Sequence, residues 1–131
     1  MGSRSTGRRL AMQAVYQADL SHTDVGTALK FLFDEEKLTE EARSFSRGLA
    51  EGVEKSRDDI DRIIEAASKN WSLDRLNLVD KSILRVAIYE LQHEKRTPRS
   101  VVINEAVELA KKYSGDDSSS FINGVLDKIV V

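Results

Sequence analysis

Val101-Val102-Ile103-Asn104-Glu105-Ala106-Val107-Glu108-Leu109-Ala110-Lys111-Lys112-Tyr113, a polar break over residues 114–120, then Phe121-Ile122-Asn123-Gly124-Val125-Leu126-Asp127 decide how this chain reads. Val102, Ile103, Ala106, Ala110 and Tyr113 recur at the helical period, and Ile122, Val125, Leu126 and Ile129 do so again. Two amphipathic helices therefore flank a short loop. Pro98 suits the start of the first, Glu108 and Lys112 make a favourable i, i+4 pair, and Ser118 or Ser119 caps the second. Phe121 opens that second helix beside its apolar stripe, so an exposed ring there offers a face on which a base can stack; the alternative is a core or staple residue.

Working outward, the same period appears in every segment. Ala11, Ala14, Val15 and Ala18 form one stripe of a helix from about Thr6 to Leu20. Asp24 caps a second helix carrying Val25, Leu29, Leu32 and Phe33, and Thr39 opens a third with Ala42, Phe45, Leu49 and Val53. Ser56 with Asp59 resembles a capping box ahead of Ile60, Ile63, Ile64 and Ala67. The stretch from Asn70 to Leu76 interrupts the period, with Trp71 as an anchor between subdomains. From about Leu78 to His93 only a narrow polar strip near Lys81, Arg85 and Gln92 breaks the apolar surface, as a central helix requires. With one proline and no alternating β-branched runs, the chain reads as all-α, about seven helices.

The 131 residues, 40% of them hydrophobic, suffice for a single domain, with subdomains of about 1–70 and 71–131. No apolar run of membrane-spanning length and no apolar leader occur, which predicts a soluble, cytoplasmic protein without a membrane partner. The absence of cysteine excludes disulfides, thiolate zinc sites and thiol nucleophiles. Net charge is −2, but Arg4, Arg8 and Arg9 stand in the first 18 residues with no acid among them, so the remainder carries −5. The chain has one cationic end.

Helical geometry sets Arg9, Gln13, Tyr16 and Gln17 on a solvent-side stripe of the first helix, with Arg4 and Arg8 at its N-terminal end. Guanidinium groups grip phosphate oxygens bidentately, the helix N-terminus attracts anions, and Gln can read base edges. The competing reading is a solvated, frayed terminus. Asp116, Asp117 and the following serines lack the alternation of a calcium loop and read as a cap and turn. Gly124 inside a helix predicts a close approach to its backbone. His22 and His93 have no motif spacing, and no nucleophile elbow, phosphate loop or carboxylate pair appears. The sequence thus predicts no catalytic residues, no metal and no cofactor.

Four ordered segments resemble the NusB transcription antitermination factors: residues 8–16 (Arg-Arg-Leu-Ala-Met-Gln-Ala-Val-Tyr), 80–91 (Asp-Lys-Ser-Ile-Leu-Arg-Val-Ala-Ile-Tyr-Glu-Leu), 103–111 and 121–127. The resemblance implies two three-helix bundles set roughly perpendicular. It also implies an RNA-binding adaptor that pairs with NusE, a small-subunit ribosomal protein, on the boxA element of nascent RNA. Such an adaptor helps the RNA polymerase antitermination complex read through terminators, notably in ribosomal RNA operons. By the same resemblance Arg4, Arg8 and Arg9, with Gln13, Asp117, Ser118 and Phe121, contact RNA, and Tyr16, Asp80 and Ile83 face NusE. The arginine cluster is thinner than in the richest members, since Ser5, Thr6 and Gly7 interrupt it. Alternatives are a helical interaction or dimerisation module without an RNA role, a homodimer burying helix one, and a stand-alone relative of the RNA-binding domain of ribosomal RNA methyltransferases. The chain has no glycine-rich βαβ cofactor segment.

Overall fold

A computed structural model describes residues 2–68 and 76–129. Among these, seven helices occur and no strand: α1 (Ser3–Ser21), α2 (Val25–Phe33), α3 (Glu40–Lys55), α4 (Arg57–Ala67), α5 (Leu78–His93), α6 (Arg99–Tyr113) and α7 (Asp116–Lys128). The all-α expectation is met, and α5 has the bounds that its apolar pattern predicted. The anchor role expected of Trp71 lies outside the described residues.

Helix α1 packs on α2 and α3, while α5, α6 and α7 pack on one another, with α4 bridging α3 to α5 and α7. Helix α5 touches every helix except α2 closely, and its buried Ile83, Leu84, Val86, Ala87 and Ile88 join the two groups into one core. Each fully buried Ile, Leu or Val side chain among these contributes about 1.5–3 kcal/mol. Helix α1 approaches α3 closely through its small residues: a Cβ on Gly7 would come within 2.8 Å of the Phe45 ring. The glycine that thins the arginine cluster is thus what lets these helices meet.

The predicted caps hold at Asp24, which accepts from the Thr27 amide at 2.7 Å, and at Thr39, which accepts from Ala42 at 3.0 Å. The Ser56 capping box does not form; Ser56 makes no side-chain cap and Asp59 pairs with Arg62. Nor do Ser118 or Ser119 cap α7. Gly115, at φ +153°, turns the chain so sharply that the helix begins at Asp116. The acidic first turn suits the positive helix N-terminus, and the Ser119 hydroxyl donates to the Asp116 carbonyl. Phe121 consequently lies mid-helix, not at its opening.

Four expectations reverse. Gly124 has nothing within 4 Å of an added Cβ, so no neighbour approaches there. Tyr113 is 36% exposed rather than inward, and Glu108 pairs with Lys111 instead of Lys112, whose ammonium lies 5.4 Å from the Tyr113 ring centroid. Arg85, expected on the polar strip of α5, is 2% exposed. Its guanidinium donates to both Asp61 oxygens at 2.8 and 3.0 Å and to Asp19 at 3.1 Å, clamping α5 to α4 and α1. An arginine can sit in a core only with such matched acceptors.

Candidate nucleic-acid interface

The expected cationic surface divides between buried and open residues. Arg8, expected to contact RNA, points inward at 5% exposed. Its Nε and Nη2 donate to the two Glu90 oxygens at 2.8 and 2.7 Å, and Nη1 to Glu105 at 2.8 Å. Ser5 donates to the same Glu105 oxygen. Burial disfavours the guanidinium charge, but Glu90 and then Glu105 outweigh it and raise the Arg8 pKa above its ordinary value. Arg8 therefore joins α1 to α5 and α6, with each of its three guanidinium nitrogens donating one hydrogen bond.

Arg4 and Arg9 remain at the surface. Arg4 is exposed, its guanidinium carbon 4.5 Å from the Phe45 ring centroid. Arg9 donates to Gln13 at 3.2 Å and to Glu36 at 2.8 Å, the latter an exposed pair of the kind that exchanges at a cost of about 0–1 kcal/mol. Gln13 in turn donates to the Tyr113 hydroxyl at 3.5 Å. Helix α1 and the end of α6 thus share one polar face, and between them opens a groove of about 550 Å³ lined by Thr6, Arg9, Lys111 and Lys112 and by the acidic Glu105 and Glu108. Lys111 and Lys112, for which the sequence predicted only the Glu108–Lys112 pair, are cations of this groove. Their doublet at the close of a helix whose inner face is already accounted for was the available signal.

The segment from Ser114 to Phe121 is fastened beside it. The Ser118 hydroxyl donates to Asp80 Oδ2 at 3.0 Å and accepts from Ser114 at 2.8 Å, while Asn77 donates to Asp80 at 3.1 Å. Asp117 is exposed, and Phe121 is half-buried against the core with part of its surface open. Of the residues expected to face a protein partner, Tyr16 is half-buried, Asp80 is 5% exposed and Ile83 is 1% exposed. Ile83 is core, because α5 lies between the two helix groups, so it has no surface to offer a partner in this structure. Asp80 ties α5 to the first turn of α7 through Ser118.

Fold and groove together define an all-helical, two-bundle protein with a cationic cleft at the start of its first helix. Among the described residues no group of three or more metal-ligating side chains occurs, and no helix is long and apolar enough to cross a membrane. The family model described as the NusB family matches residues 5–131. Transcription antitermination protein NusB of Myxococcus xanthus is 43% identical over 135 residues, covering 100% of this chain and 96% of that protein. Its Geobacter sulfurreducens counterpart is 46% identical, covering 98% and 94%. Among solved structures, NusB and NusE in complex with double-stranded RNA matches with a TM-score of 0.89, 30% identity, and coverage of 97% and 95%. T. maritima NusB matches with a TM-score of 0.90, 34% identity, and coverage of 98% and 89%. The chain belongs to the NusB family.

Proposed function

We propose that this protein is a non-enzymatic adaptor that binds boxA RNA together with NusE and promotes transcription antitermination, notably on ribosomal RNA operons. The observation that carries this reading is the likeness, over 97% of the chain, to NusB as solved with NusE and RNA. The α1–α6 groove, with Arg4 and Gln13 of α1 outside its lining, supplies a matching surface. Arg4, Arg9, Lys111 and Lys112 contact phosphates, Gln13 reads a base edge, and the open part of Phe121 receives a stacked base. Asp117 and Ser118 border the RNA, with Ser118 held by Asp80. Arg8 acts as a positioning residue that fixes α1 against α5 and α6. NusE docks against the side that presents Tyr16, supported from within by Asp80 and Ile83.

Few free cations imply modest affinity for RNA alone. Four phosphate contacts give a salt slope of about −3 on a log–log plot for a single strand. Fluorescence titration of a boxA-like single-stranded RNA, with and without NusE, tests the reading. Tighter binding with NusE and a slope near that value are expected. RNA affinity unchanged by the partner overturns the adaptor role.

A further inference from the structure

A second cavity, of about 720 Å³, lies on the other side of the Arg8–Glu105 pair and shares Ser5, Arg8 and Glu105 with the first groove. Part of its lining is the α5–α6 connection, which brings Lys95 and Arg96 into the same cavity as Arg4. Arg96 is exposed and engages no carboxylate among the described residues, while Lys95 donates to the Leu91 carbonyl at 3.2 Å and keeps its charge at the rim. One acid, Glu94, lines the same cavity besides Glu105. The two cavities sit at opposite ends of α6. The first is lined by Lys111 and Lys112 from its last turn, the second by Pro98 and Val101 from its start. At 1.5 Å rise per residue, the 15 residues of α6 give this path about 22 Å. Because the second cavity lies at the N-terminal end of α6, the helix dipole adds to the attraction for anions there.

We infer that the two cavities form one continuous track for a single RNA strand, which crosses the Arg8–Glu105 pair and leaves over Lys95 and Arg96, so that the protein binds nucleotides flanking boxA as well as boxA itself. This rests on the RNA-binding reading above and extends it. Glu105, only partly buried, faces both cavities and repels a phosphate directly over Arg8. The backbone therefore bridges the pair and is gripped on either side of it.

The test compares a bare boxA-like RNA with the same RNA lengthened by several nucleotides at its 5′ or its 3′ end, each titrated against the protein with NusE bound. Two additional phosphate contacts steepen the salt slope by about 1.4 for one of the lengthened strands and tighten its binding roughly tenfold near 0.1 M salt. In Lys95→Ala/Arg96→Ala that gain disappears while bare-RNA affinity and the melting temperature stay unchanged. Equal slopes for the bare and both lengthened RNAs on the parent protein overturn the track without any variant being made. So does a variant that weakens bare and lengthened RNA alike, since Lys95 and Arg96 would then act within the boxA site. Failure of the parent to bind bare RNA defeats the RNA-binding reading itself, a result distinct from both.

Discussion

Replacing Arg8 by methionine removes one partner of an ion pair in which Glu90 is 1% and Arg8 6% exposed. The Glu90 carboxylate keeps no other cation at bonding distance among the described residues, so it is left buried without a counter-charge. Breaking a buried pair in this way costs about 3–5 kcal/mol, and replacing both members by apolar groups of similar volume is near neutral. For a chain of this size 1 kcal/mol corresponds to about 3–5 °C in melting temperature, so Arg8→Met lowers it by about 10–20 °C. Arg8→Met/Glu90→Leu returns to within about 1 kcal/mol of the parent, a coupling energy above about 3 kcal/mol. Urea unfolding followed by circular dichroism gives all four corners of the cycle. The double variant also binds boxA-like RNA within about threefold of the parent, because its phosphate-facing cations are intact. A single substitution costing under about 1 kcal/mol, or a double variant no better than the worse single one, refutes the buried-pair argument. Loss of RNA affinity beyond about tenfold in the refolded double variant refutes the assignment of Arg8 as a positioning residue.

Other outcomes follow from the same geometry. Phe121→Ala keeps the helical circular-dichroism spectrum and weakens RNA binding by about 1–3 kcal/mol, measured well below its melting temperature. Burial of Asp19 raises its pKa, but hydrogen bonds from Arg85 and Arg57 outweigh this, and the carboxyl is held below its ordinary 3.8. Its stabilising contribution is present above that value and is lost as the pH falls through the depressed one. Asp19→Asn is therefore less stable than the parent at neutral pH, and the gap narrows in urea titrations taken below pH 4. Gly115→Ala forces a side chain into a backbone region at φ +153° and destabilises by about 1–3 kcal/mol, read as a lower urea midpoint with α6 and α7 most exposed to amide exchange.

Periodicity made the helices legible because it reports which face of each one is apolar, and α5, nearly apolar all round, could only be central. Asp24 and Thr39 were readable as caps because their bonds are made within three residues. What escaped depends on partners distant in sequence. Arg8 and Arg85 look like surface residues to any rule that counts arginine as polar, and their carboxylates come from other helices. A trace was nevertheless present, since Arg8 continues the stripe of Ala11, Val15 and Ala18 at helical spacing. The start of α7 was missed because Asp116, Asp117 and three serines have turn-like propensity, which a first helical turn accommodates equally well. Of the proposed RNA surface, Arg4, Arg9 and Gln13 were visible from helix one alone. Lys111, Lys112, Lys95 and Arg96 became candidates only once α6 was seen to run beneath it.

The 82 residues that separate Arg8 from Glu90 also bear on how the molecule is made. At about 5–20 residues per second, the acceptor follows the donor off the ribosome by roughly 4–16 s. During that interval the first three helices have emerged without the carboxylates that neutralise Arg8, and without α5 to cover their inner faces. The Arg8–Glu90 contact that fastens α1 to α5 thus cannot close until most of the chain has been translated, and it is a long-range closure rather than a local one.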